Sequence, residues 1–261
     1  MADTAVYVYC VLEPGSAGRL SGVPAGLPGS TRPALLDLGR GLKAVVAEVP
    51  LSRYGQDKIE AGLRELSWVA DIAVAHESVV EYFASRRGAT AIPMKLFTMY
   101  LSLDRAVREL NASRKTLDAA LRRIRGCSEW GIRATRSPAP RGTRSRRTTP
   151  PAVGGAAFLA AKKRALDDAR DAVREAVAAA ESAYELLAPF SKLARRRTDA
   201  PPSAATPPLL DAAFLVPADR KARFRAAAKR AATSCRVAGV ELTLSGPWPA
   251  YNFVQSAGSA A

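Results

Sequence analysis

Glu129-Trp130-Gly131-Ile132-Arg133-Ala134 decides how this chain is divided. Gly126 stops a helical pattern just before it, and the stretch itself reads as a strand. After it come a long helix, a strand at Ala212-Ala213-Phe214-Leu215-Val216, a helix from residue 217 or 218 to about 234, and a strand at Val240-Glu241-Leu242-Thr243-Leu244. That strand-helix-strand-helix-strand order predicts one α+β domain over residues 127–261 and leaves residues 1–126 as another. A length of 261 residues fits this division, since a domain usually takes about 100–200.

Working back toward the N-terminus, Ala5-Val6-Tyr7-Val8-Tyr9-Cys10-Val11-Leu12 is a buried strand ending at Glu13-Pro14-Gly15. Residues 34–38 and 42–49 flank Gly39-Arg40-Gly41 as a hairpin. Two helices follow, at about 56–66 and 67–85; in the second, Trp68, Ile72, Ala75, Val79 and Phe83 share a face bordered by His76. A histidine there reads as a hydrogen-bonded packing residue rather than a base or a ligand. Residues 91–98 read as a short strand with Pro93 at an edge or start, and Ser102 caps one helix running to about 125.

Charge is the strongest compositional signal: 39 basic against 24 acidic residues give +15. Residues 136–151 hold five arginines and no acid, and residues 192–208 hold four bases against Asp199. About half of the excess therefore sits in Pro-, Ser- and Thr-rich segments, and residues 136–151 and 197–208 are expected to be solvated linkers. Such segments can hold polyanions through phosphate contacts alone, but no aromatic residue is interleaved with the bases of 136–151, so specific nucleic-acid recognition is not expected.

Gly154-Gly155 open the long helix, about 35 residues or roughly 52 Å. Leu159, Leu166, Val173, Ala180 and Leu187 recur every seven residues, with Ala169, Ala176, Ala183 and Phe190 beside them. The seam fits either a core helix of this chain or a partner's surface, and Leu159, Leu166, Val173 and Leu187 are the candidates for the latter. At the other end, Pro247 and Pro249 bracket Trp248 in Ser245-Gly246-Pro247-Trp248-Pro249-Ala250-Tyr251-Asn252-Phe253, a stiff corner suited to pinning an aromatic against a sheet, or else a binding platform.

Catalytic patterns are missing. There is no phosphate-binding glycine loop, no GxSxG elbow, and a single histidine, His76, which excludes HExxH and multi-histidine metal centres. Cys10, Cys127 and Cys235 have neither disulfide nor CxxC spacing and read as reduced packing residues. No catalytic residue, metal site or cofactor is assigned; binding or assembly is the expected class. No stretch reaches the roughly 18 apolar residues of a bilayer span, and no basic region precedes the first apolar run, so a cytoplasmic protein is expected.

Taken in order, Tyr7-Val8-Tyr9, the hairpin ending at Val49-Pro50, Ser67-Trp68 through Ala75-His76-Glu77, Ile92-Pro93-Met94-Lys95, Glu129-Trp130-Gly131, Phe214-Leu215-Val216-Pro217 and Gly246-Pro247-Trp248-Pro249-Ala250-Tyr251-Asn252-Phe253 resemble the gas vesicle protein GvpF/GvpL family nearly end to end. The resemblance implies a two-domain α+β protein whose C-terminal domain is ferredoxin-like. It implies a non-enzymatic, minor component of gas vesicle formation that binds the small hydrophobic shell protein and other gas vesicle accessory proteins, in the cytoplasm and in association with the vesicle. The residues carrying the family signature, structural or partner-binding, are Trp68, His76, Pro93, Lys95, Glu129, Trp130, Gly131, Gly246, Pro247, Trp248, Pro249, Tyr251 and Phe253. The chain departs from the family pattern at Met94, Lys95, Leu96 and Phe97, where Leu, Arg, Phe and Gly are usual, and at Ala250, where a proline is usual; the loss of the glycine at Phe97 is the departure that bears on the backbone.

Overall fold

A computed structural model describes residues 3–16, 20–86, 88–137, 155–197 and 207–254. The chain forms two compact units, one running through Glu129 and resuming at Pro247, the other spanning Trp130–Gly246. Compared with the division expected at residue 127, the C-terminal corner thus belongs with the first unit rather than with the 127–261 domain. The reason is a set of partly buried hydrogen bonds to residues 251–253. Most of the Arg-rich segments, residues 138–154 and 198–206, lies outside the described residues.

The first unit is built on β1 (Thr4–Leu12), the valine- and tyrosine-rich strand, which is buried from Ala5 onward. β2 (Ala34–Asp37) and β3 (Lys43–Pro50) form the expected hairpin, and β4 (Ala91–Pro93) and β5 (Met99–Tyr100) both pair with β1, giving the order β2-β3-β1-β4. The β1/β3 register shifts between Val8 and Cys10. Such a bulge changes which residues face a given side: Ala5, Tyr7, Tyr9, Cys10 and Leu12 all join one core cluster. After β3 come the short helices α1 (Leu51–Tyr54) and α2 (Gln56–Gly62), then α3 (Leu66–Ala84), which lays Ile72, His76, Val79, Val80 and Phe83 on that cluster. The single helix expected to follow is two, α4 (Leu103–Ala112) and α5 (Arg114–Ile124), broken at Ser113; Ser102 caps the first as predicted, its hydroxyl accepting from the Arg105 amide.

The expected strand over residues 91–98 is also interrupted. Pro93 does lie on an edge strand, β4, but at its end rather than its start, opposite Cys10; the chain then turns through Phe97, whose φ of 63° lies in the left-handed region. That region suits glycine and is costly for a large side chain. Phe97 occupies it with its ring stacked on Trp68, centroids 5.7 Å apart and planes 6° from parallel.

In the second unit, β6 (Cys127–Arg136), α6 (Gly155–Leu187), β7 (Leu193–Arg196), β8 (Leu210–Pro217), α7 (Lys221–Val237) and β9 (Val240–Trp248) follow one another, and the sheet order is β7-β8-β6-β9. This is the ferredoxin-like arrangement, complete with a strand that the sequence reading leaves out. β7 pairs antiparallel with β8 from Leu193↔Leu215 to Arg196↔Ala212. A four-residue edge strand with two consecutive arginines carries too little apolar pattern to stand out from a basic linker. The core beneath it is unusually small in its side chains: Ala176, Ala180, Ala183, Ala227, Ala228 and Ala231 pack α6 against α7, with Phe214, Phe224 and Trp130 filling the rest. Gly131 allows a close approach here, since a Cβ would fall 2.7 Å from Ser245 Oγ.

Candidate functional site

Four of the signature residues converge on one groove in the first unit. His76 from α3, Lys95 from the turn after β4, and Trp248 and Tyr251 from the C-terminal corner line a space of about 870 Å³ together with Val74 and Glu77. The corner is held by polar side chains rather than by Trp248. Tyr251 donates its hydroxyl to Glu77 Oε2 at 2.6 Å, Glu129 Oε2 accepts the Asn252 amide at 2.9 Å while its Oε1 accepts from the Asn252 side chain, and Arg123 donates to the Phe253 carbonyl at 3.1 Å. Pro249, Ala250 and Phe253 are buried between these anchors. Trp248, expected to be pinned on a sheet, is instead 44% exposed at the groove mouth.

His76 is buried, as its place beside the apolar stripe predicts. Phe97 N–H approaches the Tyr7 oxygen at 3.4 Å, and the Tyr7 hydroxyl meets His76 Nδ1 at 2.8 Å. With the Tyr7 oxygen accepting from Phe97, its proton goes to Nδ1 and the imidazole proton to Nε2. Burial lowers the His76 pKa to about 4, against a smaller opposing effect of the Met94 backbone, so the ring is neutral near pH 7. Burial also raises the Glu77 carboxyl above its ordinary value, with Tyr251 opposing, and raises Tyr251 through burial and through Glu77. His76 Nε2 and Glu77 Oε1 have no hydrogen-bond partner among the described residues. Nothing in this set pairs a nucleophile with a base; its geometry ties a C-terminal corner to a helix and a strand.

Of the remaining signature residues, Trp68, Pro93 and Trp130 lie in or against the two cores. Trp68 stacks on Phe97 and covers Gly62, where a Cβ would lie 2.5 Å from the indole. Pro93 is buried in β4, and Trp130 is buried 6.0 Å from Phe224 in the second unit. Gly246 has φ 115°, a conformation that side chains rarely adopt, just before exposed Pro247. Glu77, Arg123 and Asn252 were not singled out by sequence reasoning. Their partners lie 174, 130 and 123 residues away, so no local spacing marks them.

A second surface lies on α6. Ala176, Ala180, Ala183 and Leu187 are buried, but Phe158, Leu159, Leu166 and Val173 are 68, 65, 52 and 38% exposed. Leu187, read as part of a seam open to a partner, therefore belongs to the unit's own core, and the open seam ends near Val173. α6 has 33 residues and α7, on which it packs, has 17; at 1.5 Å per residue these span about 50 and about 25 Å. The N-terminal half of α6 overruns its support.

A family model described as gas vesicle synthesis protein GvpL/GvpF matches residues 5–255. The chain belongs to the GvpL/GvpF family. Gas vesicle protein L of Streptomyces sp. (strain CB03234) is 31% identical over 136 residues, which are 52% of this chain and 49% of that protein. The match thus spans about half the length of that relative. Two solved structures share the fold: gas vesicle protein GvpF from Anabaena sp. PCC7120, with TM-score 0.64, and GvpF from Microcystis aeruginosa, with TM-score 0.60. Each is 13% identical, and each comparison covers 97% of this chain and 99% of the other. Among the described residues of this GvpL/GvpF chain, no helix is long and apolar enough to cross a membrane, and no cluster of three His, Cys, Asp or Glu residues is placed to hold a metal.

Proposed function

We propose that this chain is a non-enzymatic accessory protein of gas vesicle formation, acting in the cytoplasm and at the growing vesicle, that covers apolar surface of the small hydrophobic shell subunit until the subunit is incorporated. The observation that carries this reading is the apolar stripe of α6, which continues past its own core with Phe158, Leu159, Leu166 and Val173 exposed. Membership of the GvpL/GvpF family supports it. A subunit that polymerises through apolar surface needs a soluble partner before assembly, and an unpartnered helix stripe supplies a matching face.

The size of that face bounds its contribution. Complete burial of a Leu, Val or Phe side chain contributes about 1.5–3 kcal/mol, and four residues that start partly covered give roughly 5 kcal/mol. Micromolar affinity needs about 8 kcal/mol. These four side chains alone therefore fall short of micromolar affinity, and in this reading the rest of the exposed half of α6 adds to the contact. Co-expression tests the reading: the shell subunit should stay in the supernatant with this chain and sediment without it. Sedimentation in both cases, with the chain retaining nucleic acid instead, would replace the reading with one based on the Arg-rich segments.

A further inference from the structure

We propose that the outer face of α7 docks an acidic α-helical segment of a protein partner. α7 carries Lys221, Arg223, Arg225, Lys229, Arg230 and Arg236 and no acidic residue. All six are exposed, while Phe224, Ala227, Ala228, Ala231 and Cys235 form the buried side. With 3.6 residues per turn, Lys221, Arg225, Lys229 and Arg236 follow one edge of the exposed face, and Arg223 and Arg230, seven apart, follow the other. Between the two rows lie the small exposed residues Ala222, Ala226 and Thr233.

Elsewhere in this unit five arginines are matched by carboxylates. Arg133 and Arg197 both reach Asp211, Arg196 reaches Glu181, and Arg170 and Arg174 pair with Asp167 and Asp171. On α7, Lys221 lies 5.8 Å from the Trp130 ring centre, but the other five make no ion pair among the described residues. Like charges four residues apart repel along a helix, and an external anion removes that repulsion.

The spacing suits a second helix. Cations at four-residue intervals stand about 6 Å apart along the axis, the interval of carboxylates at i, i+4 and i+8 on a second helix. The small residues between the rows let a helix come close enough for its flanking carboxylates to reach both. Single-stranded nucleic acid is held partly by stacking on exposed aromatics, and the one aromatic residue of α7, Phe224, is fully buried. This surface is independent of the shell-subunit contact, which is apolar and lies on α6.

The test uses the full-length chain and a labelled helical peptide with Glu at i, i+4 and i+8 on one face. Its control has the same composition with the glutamates spread around the helix. A DNA duplex and phosphatidylserine vesicles run in parallel. The aligned peptide should bind at least about tenfold tighter than its control and weaken at least about tenfold when salt rises from about 50 to about 300 mM. Arg225→Gln, Lys229→Gln and Arg236→Gln together should reduce binding at least about tenfold with an unchanged melting curve, whereas replacing Arg141, Arg144, Arg146 and Arg147 by Gln should leave it unchanged. No peptide binding at low salt, equal binding of the two peptides, or tighter binding of duplex or vesicles through the same three residues would overturn the proposal.

Discussion

Around β1 the first unit buries tyrosine hydroxyls, an imidazole and the Glu129 carboxylate, half-buries Glu77, and joins them by directional bonds: Tyr7 to His76, Tyr9 to the Leu27 amide, Tyr251 to Glu77, Glu129 to Asn252. The second unit does nearly the opposite, packing two helices through six alanines. Hydrogen bonds of the first kind have a single satisfactory geometry, so they fix where a C-terminal corner sits. Alanine packing sets how closely two helices approach but says nothing about where either must stop. That freedom lets α6 run on past its core and expose an apolar stripe.

The contrast breaks most visibly at Ala180. Placing an unpaired carboxylate there, in Ala180→Asp, should cost about 4 kcal/mol or more and lower the melting temperature by more than about 15 °C. Leu166→Asp, on the same helix two heptads earlier, should shift it by less than about 2 °C, because surface substitutions away from packed features stay within about 0.5 kcal/mol. Equal losses in the two variants would mean that the N-terminal half of α6 is packed after all.

Acid should sharpen the contrast next. The folded-state pKa of His76 is depressed from 6.5 to about 4, so the folded chain binds fewer protons than the unfolded one between these values. Its contribution is complete above about pH 6.5 and is lost as pH falls toward 4, amounting to about 2–3 kcal/mol by pH 4.5. Glu77, whose pKa is raised, acts in the opposite sense over its own range, so the comparison is made against a His76→Gln variant. Amide exchange at pH 7 and pH 4.5 should show β1 losing protection in the wild type, with a smaller loss in the variant and β8 unchanged in both.

A smaller effect belongs to the corner itself. Asn252→Ala removes the side-chain donor to Glu129 but leaves the backbone amide in place, and should cost about 1–2 kcal/mol in denaturant unfolding. No loss would mean that the Asn252 amide, Tyr251 and Phe253 hold the corner without the side-chain donor.

Much of this was legible in the chain. The all-apolar run of β1, the glycines around Arg40, the Ser102 cap and the strand at Trp130 each rest on local chemistry, and each stands where its residues predict. His76 reads correctly as a buried, hydrogen-bonded residue because its place on the helix face sets its burial. What escaped reading depends on distance or on weak pattern. The break at Ser113 is hidden because Leu103, Val107, Leu110, Leu117, Leu121 and Ile124 keep a plausible inward spacing across it. β7 is hidden by Arg195 and Arg196. Trp248 looks pinned when only its neighbours are seen, but Glu129, Glu77 and Arg123, all distant in sequence, hold the corner and leave the indole at the groove mouth. The heptads of α6 identify a stripe without saying where its cover ends, so Leu187 and Leu159 look alike although one is fully buried and the other is 65% exposed.

The most direct test of shell-subunit binding by α6 is quantitative capture of that subunit by the immobilised chain, at low salt and at about 1 M, where the Debye length is roughly 3 Å. An apolar contact predicts capture at both salts by the wild type, and a loss of at least about tenfold in a Leu166→Asp, Val173→Asp variant whose circular dichroism and melting curve are unchanged. Full capture by that variant, or none by the wild type at either salt, would contradict it.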